Sequence, residues 1–276
     1  MRAIRVSLTF IAFIVIATSC SKYNKVLKSK DPAYQLKKAD EYFAKKKYKA
    51  AQPIYEELFS LVRGTTSYED VYYKDAYCYY AMKMYHEAEN LFKGFLEVFP
   101  NSSRNEEVDY LRAYCFYKQS PKVELEQVNT VKAIGQMQTF INTHPGSSRI
   151  KDATEIIIKS REKLELKDYR AAELYYNLGQ YRASALSFEA LINSYPESVK
   201  GEEYKLKSVR SYYKFAKMSV PEKQIERYQT VISQYEDFVD RYPDSKLLKE
   251  AESYRSLSQN HIKDLQNEQT QTSAKR

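Results

Sequence analysis

The chain has 276 residues, and its 44 lysines and arginines against 36 aspartates and glutamates give a formal net charge of +8. This basic excess is modest and is mixed with acidic residues rather than gathered in one stripe, which disfavours nucleic-acid binding. With 6 glycines, 3 scattered histidines and no glycine-rich phosphate loop, nucleophile elbow or paired metal-ligand spacing, the sequence predicts a protein that is not an enzyme and needs no cofactor or metal.

Residues 1–19 are typical of a secretory signal. Arg2 and Arg5 precede an almost wholly apolar run from Val6 to Ala17, which is too short to span a bilayer of about 30 Å as a helix. The run ends in small residues followed at once by Cys20, and in this it resembles a bacterial lipoprotein signal. That resemblance implies cleavage before Cys20, a diacylglycerol on its sulfur and a third acyl chain, such as palmitate, on its amino group. The alternative is an ordinary cleaved signal with an incidental cysteine.

Residues 20–31 read as an acylated cysteine and a short basic tether. Four lysines follow the cysteine closely, at Lys22, Lys25, Lys28 and Lys30. Each would attract anionic lipid by about 1 kcal/mol, although a solvated tether explains them equally well. Ser21 favours the outer membrane, and because no acidic run follows the cysteine we expect the protein on the periplasmic face. Asp31-Pro32 then reads as a helix N-cap with a first-turn proline.

The clearest structural pattern runs from Tyr72 to Pro100. Its apolar and small residues have the spacing of two amphipathic helices joined by a tight turn, and they match the tetratricopeptide pattern, which repeats about every 34 residues. The small residues Ala76 and Ala88 would let the paired helices approach to roughly 8–10 Å between axes. Pro100 ends the second helix, because proline cannot continue it.

Four further copies of this pattern flank it, one before and three after, so the copy at Tyr72–Pro100 is the second of five. The copy that precedes it has Arg63-Gly64 in place of the closing proline. The third copy carries an insertion at 118–130, and the fifth is expected to have a stretched loop around Pro221. A phrase of proline followed two residues later by serine closes four copies, at Pro100, Pro145, Pro196 and Pro243.

We therefore predict an all-α fold, an α-solenoid of about five tetratricopeptide helix pairs over residues 32–265. Each such pair needs neighbours to bury its apolar face, and the last pair needs a cap, for which residues 247–265 are suited. Residues 148–167 are long, periodic and uninterrupted, so the first helix of the fourth pair should extend backward through them. Residues 266–276 are polar and aperiodic, which predicts a disordered tail.

Two cysteines, Cys78 and Cys115, occupy the same position of the first helix in consecutive repeats. Equivalent positions on stacked repeats lie a helix-packing distance apart, whereas a disulfide needs Cα atoms within roughly 7 Å. We therefore expect both to be small buried hydrophobes rather than a bridged pair.

Tyrosine is unusually frequent, with 27 copies and no tryptophan. In tetratricopeptide arrays the first helix of each pair lines a concave groove, and tyrosines at i, i+4 and i+7 of the second and third copies fall on one such helix face. These candidate peptide-binding residues are Tyr73, Tyr77, Tyr80, Tyr110, Tyr114 and Tyr117. Tyrosine offers apolar area and a hydrogen-bonding hydroxyl at low entropy cost.

Later copies continue this series with a weaker set of candidate partner-docking residues, namely Tyr176, Arg210 and Tyr213. For Tyr80, Tyr117, Tyr176 and Tyr213, simple packing between adjacent first helices is an equally good explanation.

The whole arrangement resembles the BamD family, also called YfiO or ComL. The resemblance rests on the lipoprotein signal, the basic tether, five tetratricopeptide units and the phrase Tyr-Lys-Gln-Ser-Pro-Lys at 117–122, which opens the insertion. It implies a non-catalytic lipoprotein subunit of the outer-membrane β-barrel assembly machinery. In that family the C-terminal repeats dock the barrel-forming subunit BamA, and the N-terminal groove receives unfolded outer-membrane proteins.

Other functions remain open at this point. A glycan-binding lipoprotein of the SusD type is also built on tetratricopeptides, but such proteins are much longer and usually present tryptophan to sugars. A scaffold for cell-wall or division machinery is compatible with the repeats. An enzyme would need a catalytic constellation that the sequence does not contain.

Overall fold

The computed structural model describes residues 23–274, so the predicted signal and Cys20 lie outside the described part of the chain. All regular secondary structure of residues 23–274 is helical: a helical turn at 23–27 is followed by eleven helices. Their bounds are α1 Pro32–Ala44, α2 Tyr48–Leu61, α3 Tyr68–Ala81, α4 Tyr85–Val98, α5 Asn105–Lys118, α6 Val128–Thr143, α7 Ile150–Asn177, α8 Tyr181–Ser194, α9 Gly201–Lys217, α10 Pro221–Arg241 and α11 Leu248–Ala274.

These helices form five consecutive pairs, α1–α2 to α9–α10, followed by α11. Helices that are neighbours in sequence pack side by side, which is the arrangement of tetratricopeptide repeats. The predicted fold class, an all-α solenoid with a C-terminal helix after the fifth pair, is therefore confirmed.

The chain divides into two compact units, Met1–Ser160 and Arg161–Arg276. In the described residues, the N-terminal unit comprises the first three pairs and the start of α7. The C-terminal unit comprises the rest of α7 and helices α8 to α11. The sequence predicts one continuous array and does not reveal this division.

Local signals in the sequence explain where helices start. Asp31 caps α1, since its carboxylate accepts hydrogen bonds from the backbone N–H groups of Ala33 and Tyr34 at 3.0 and 3.2 Å. Pro32 occupies the first turn, where its missing N–H costs nothing. After α2, which has no closing proline, Gly64 turns the chain with a φ of 81° before α3 begins.

The proline–serine phrases make defined turns between pairs. In each phrase the serine hydroxyl oxygen accepts a hydrogen bond of 3.0–3.2 Å from the backbone N–H two residues later; the serines are Ser102, Ser147, Ser198 and Ser245. Three of these hydroxyls also donate to a glutamate on the first helix of their own pair: Ser102 to Glu69, Ser147 to Glu106 and Ser198 to Glu165. Three of the four phrases therefore tie the end of a pair back to its first helix.

The core of the N-terminal unit is one continuous apolar cluster from Val26 to Ile156. The alanines predicted at close helix contacts, Ala76 and Ala88, are fully buried, as are Phe92 and Phe95. Rings that fill the space between α3 and α4 contact one another, as Tyr72 does with Phe95 at 5.9 Å between centroids.

The C-terminal unit buries three smaller clusters, centred on Phe188, Tyr228 and Phe238. Several polar side chains are buried among them, including Lys205, Ser208 and Ser211.

Three loop and terminus predictions have different outcomes. The insertion of the third pair forms a connection at 119–127, as expected. The extra residues around Pro221 do not form a stretched loop, because they lengthen α9 and α10 and leave only a short turn between them. Likewise, residues 266–274 continue α11, where the sequence predicts a disordered tail. These residues contain no glycine or proline, so nothing in the sequence stops the helix.

The backward extension of the fourth pair is confirmed, since α7 begins at Ile150 and runs to Asn177 without a break. Cys78 and Cys115 are buried and unbridged, as predicted. Burial raises the pKa of the Cys115 thiol to about 12, so this thiol stays neutral in the apolar core.

Candidate functional site

Six tyrosines of α3 and α5 form one connected series of rings, which we call the tyrosine ladder. The rings of neighbouring members lie between 5.7 and 6.1 Å apart at their centroids. The ladder consists of Tyr73, Tyr77, Tyr80, Tyr110, Tyr114 and Tyr117. Spacing within each helix is a sequence property, but the contact between Tyr80 and Tyr114, which joins the two helices, is a property of the fold.

Most of the ladder is accessible. Tyr110 is buried at 8% exposure, with its ring 5.5 Å from that of Phe140, whereas the other five tyrosines are half-buried. The hydroxyl of Tyr73 donates to Glu107 at 3.0 Å. Within residues 23–274, the hydroxyls of Tyr77, Tyr80, Tyr114 and Tyr117 make no hydrogen bond to the protein. Four polar groups along a largely apolar strip are thus available to a ligand.

Basic side chains lie over the ladder. The guanidinium carbon of Arg104 is 4.6 Å from the ring centroid of Tyr73, and that of Arg149 is 5.0 Å from the ring of Tyr110. Burial raises the pKa of Tyr73, and the nearby Glu107 carboxylate raises it further. This hydroxyl therefore stays protonated and acts as a donor.

Ion pairs connect the first helices of consecutive pairs. Lys74 on α3 bonds Asp40 on α1 at 2.8 Å, and Arg104 bonds Asp70 on α3 at 2.8 Å, each pair being 34 residues apart. Burial alone would raise the pKa of Asp70, but hydrogen bonds from Lys74 and Arg104 hold it below its usual value. Sequence reasoning missed these pairs, although opposite charges at the repeat period were a usable signal.

A second kind of polar contact joins the second helix of one pair to the first helix of the next. Gln52 on α2 donates from its amide to Asp75 at 3.2 Å, and Arg112 on α5 donates to Glu89 on α4 at 2.9 Å. Asp75 is 4% exposed, and burial raises its pKa to about 7. These contacts join consecutive pairs.

The chain matches a known protein family. The model of the YfiO family, described as outer membrane lipoprotein, matches residues 28–215, which include the whole ladder and the insertion at 119–127. The chain belongs to the YfiO family. A comparison with curated protein sequences gives no match.

Among solved structures, this YfiO family member is similar to the TPR2AB domain of yeast Sti1 in complex with pHSP90. The identity is 11%, the TM-score is 0.38, and the match covers 83% of this chain and 98% of the other. It is also similar to the P58(IPK) TPR domain, with 14% identity, a TM-score of 0.39, and coverage of 92% of this chain and 67% of the other. These TM-scores describe a loose likeness, and the helix pairs themselves define the fold.

The weaker candidate residues of this family member lie in the C-terminal unit. The guanidinium carbon of Arg210 is 4.7 Å from the ring centroid of Tyr176, and both border a small cleft of about 140 Å³. Tyr213, in contrast, is buried at 7% exposure, with its ring 5.4 Å from that of Tyr254. The structure therefore brings Tyr176 and Arg210 together at a surface and puts Tyr213 in the core.

The remaining predicted site residue, Cys20, lies outside the described residues. None of the helices in the described part of this YfiO family member has the length and hydropathy needed to cross a bilayer. In the same residues, no group of three or more histidine, cysteine or acidic side chains is placed to hold a metal ion.

Proposed function

We propose that the protein is a non-catalytic lipoprotein subunit of the outer-membrane β-barrel assembly machinery. In this role it is anchored by acyl chains on Cys20 at the periplasmic face, binds a BamA-like barrel-forming protein, and receives unfolded outer-membrane proteins on the tyrosine ladder. Membership of a family of outer membrane lipoproteins supports the general role.

The tyrosine ladder is the observation that carries the proposal. An unfolded barrel strand exposes alternating aromatic side chains and unpaired backbone groups. The ladder offers ring faces for those aromatics, and the hydroxyls of Tyr77, Tyr80, Tyr114 and Tyr117 offer partners for the backbone. Such a surface recognises extended chain with little dependence on sequence, which suits a receptor for many substrates.

Anchoring adds to this affinity without new contacts. Two or more acyl chains give stable membrane attachment. A tethered ladder then meets substrates that are themselves moving toward the membrane, so the effective concentration rises. No chemical step is required of the protein.

Docking of the BamA-like partner is assigned to the C-terminal unit. Tyr176 and Arg210 give this unit an aromatic ring beneath an exposed cation, a combination enriched at protein interfaces. Tyr213 supports the surface from below through its contacts with Tyr228 and Tyr254. Arg210→Ala is therefore expected to weaken partner binding more than Tyr213→Phe.

Purification from detergent-solubilised outer membrane tests the general role. We expect a BamA-like barrel protein to co-purify with the full-length protein. Recovery of a polysaccharide-uptake porin instead would favour a glycan-binding role, and recovery of cell-wall or division proteins alone would favour a scaffold.

Binding of a peptide with alternating aromatics, patterned on the last strand of a barrel, tests the ladder. Tyr77→Phe with Tyr114→Phe keeps both rings and removes two hydroxyls, so we expect roughly tenfold weaker binding with unchanged thermal stability. Tyr175→Phe with Tyr181→Phe, in the C-terminal unit, is the matched control and should bind normally.

Alanine at the same two ladder positions removes the rings as well. We expect a larger loss of affinity, together with lower stability, because both rings contact their neighbours. If both the phenylalanine and alanine variants bind the peptide with wild-type affinity, the ladder is not the binding site.

A further inference from the structure

Five exposed lysines gather at the turns of the first two helix pairs. Four lie in and beside the turn between α1 and α2, and one lies in the turn between α3 and α4. This basic turn surface consists of Lys45, Lys46, Lys47, Lys49 and Lys83. No ion pair within residues 23–274 involves any of the five. Glu41, whose pKa Lys45 helps to lower, is bonded to Lys38 at 2.7 Å.

The backbone at two of these positions favours glycine. Lys46 and Lys83 have φ angles of 56° and 64°, in the left-handed region that side chains with a β-carbon disfavour. The equivalent turn of the fourth pair has Gly179, with a φ of 74°, two residues before the tyrosine that starts the next helix. Backbone geometry therefore does not explain the choice of lysine at these two positions.

A shallow depression of about 440 Å³ separates the two turns. Its lining includes Lys46, Lys47 and Lys49 together with the apolar residues Ala81 and Met82. A depression lined by both apolar and cationic residues suits an amphiphile that carries a phosphate.

The chain also brings its N-terminal end to this surface. The ring of Tyr23 lies 6.0 Å from that of Tyr42, and the carbonyl oxygen of Tyr42 accepts a hydrogen bond from the backbone N–H of Lys47. The amide of Gln35 donates to the carbonyl of Val26 at 3.4 Å, which holds the segment after Tyr23 against α1. Cys20 is three residues before Tyr23, a reach of at most about 10 Å.

We propose that the basic turn surface binds the phosphates of anionic lipids in the membrane leaflet that holds Cys20. The proposal rests on acylation of Cys20 and adds an orientation: the turns of the first two pairs face the bilayer. Each lysine near an anionic surface strengthens the attraction of the protein to that surface about fivefold. The effect falls off within a Debye length, which is about 10 Å at 0.1 M salt.

Lysine labelling of the acylated, full mature protein in vesicles tests this orientation. The protein is reconstituted into phosphatidylcholine vesicles with or without phosphatidylglycerol, and the amine acylation rate of each lysine is measured by mass spectrometry. We expect the five lysines to react several-fold more slowly with the anionic lipid present and to recover at high salt. Lys249 and Lys263 in the C-terminal unit should react equally in both vesicles.

Lys46→Gly with Lys83→Gly separates charge from folding. Because glycine suits both φ angles, the melting temperature should not fall below that of the wild type. Lys45, Lys47 and Lys49 remain as reporters, and we expect their protection by anionic lipid to weaken several-fold. Lys249→Gln with Lys263→Gln removes the same charge elsewhere and should leave that protection intact.

Two measurements distinguish the lipid contact of the lysines from the acyl anchor. Vesicle flotation reports the acyl anchor, and lysine protection reports the turn surface. Equal labelling in both vesicle types, or protection that appears only after a partner protein is added, would overturn the lipid contact. If the protein does not float, acylation of Cys20 is wrong, and the same lysines are then measured with vesicles added to the unanchored chain, where equal labelling again overturns the contact.

Discussion

One continuous apolar cluster holds the N-terminal unit from Val26 to Ile156, whereas three smaller clusters hold the C-terminal unit. In the N-terminal unit the first helices α3 and α5 meet through the rings of Tyr80 and Tyr114, which are tilted at 59° with centroids 6.1 Å apart. In the C-terminal unit, buried Lys205 bonds Asp237 at 2.5 Å, and the hydroxyl of buried Ser208 donates to the carbonyl of Ala185 at 3.3 Å.

Both units combine ring packing with hydrogen-bonded polar groups, since Gln52 bonds Asp75 in the N-terminal unit and the rings of Tyr213 and Tyr228 lie 6.0 Å apart in the C-terminal unit. The contact between α3 and α5 at the ladder is made by rings. Ring packing leaves tyrosine hydroxyls available to a ligand, because the rings alone stabilise the contact. Polar packing uses its hydrogen-bonding groups internally, as Lys205 and Ser208 do in the C-terminal unit. Matched variants in the two units test how each is held together.

Phe92→Ala should have the largest effect. Phe92 is fully buried in the continuous cluster, so the truncation should lower the free energy of unfolding by about 3–5 kcal/mol. Hydrogen exchange should then accelerate in α1 to α6 and stay unchanged in α9 to α11. Phe238→Ala is the matched change in the C-terminal unit and should give the reverse pattern. Equal acceleration in both units, for either variant, would mean that they unfold together.

A second prediction concerns pH. Burial raises the pKa of Asp75 to about 7, above its unfolded value of about 3.9. The unfolded state therefore binds fewer protons than the folded state between these values, and stability of the N-terminal unit should fall as pH rises from about 4 to about 7. The shift of about three units corresponds to a loss of at most about 4 kcal/mol.

Asp75→Asn should abolish this slope and stabilise the N-terminal unit at neutral pH, since asparagine still accepts the hydrogen bond from Gln52.

The pH dependence of stability that Asp237 gives the C-terminal unit has the opposite sign. Burial would raise its pKa, but hydrogen bonds from Lys205 and Arg241 lower it on balance, so its stabilisation is present at neutral pH and lost in acid, below about pH 4. Denaturant melts at several pH values check both signs, and a flat profile for the N-terminal unit would contradict the burial of a neutral Asp75.

The smallest effects are expected at glycines. A β-carbon at Gly94 would overlap the hydroxyl of Tyr72, whose buried ring is fixed by Phe59 and Phe95, so Gly94→Ala should cost about 1–3 kcal/mol. At Gly201 in the C-terminal unit the new carbon would lie 2.7 Å from the hydroxyl of half-buried Tyr242, which can move. Gly201→Ala should therefore cost less.

Gly135→Ala is the control for these glycine variants. This exposed position within α6 has no neighbour for a β-carbon to meet, and alanine should stabilise the helix by about 0.5–1 kcal/mol. Thermal melts of the three variants rank their effects on stability. A larger loss of stability at Gly201 than at Gly94 would contradict the tighter packing around Gly94 in the N-terminal unit.

Much of the architecture could be predicted because its signals are local and repeated. The helix pairs follow from the periodicity around Ala76 and Ala88, and the turns follow from the proline–serine phrases. The ladder residues could be chosen because i, i+4 and i+7 share one helix face. Two expectations were wrong, the loop at Pro221 and the tail after Leu265, because a helix continues wherever no residue or packing contact stops it.

By itself, the sequence determined the helix pairs, their turns and the face on which each tyrosine lies, since these depend on residues within a few turns of one another. Only the tertiary structure decided that Tyr110 and Tyr213 are buried while Tyr77 and Tyr114 are accessible. It also decided the ion pairs across 34 residues and the division near Ser160. The physical reason is that burial and charge pairing depend on which helices become neighbours, and that is set by packing over the whole unit.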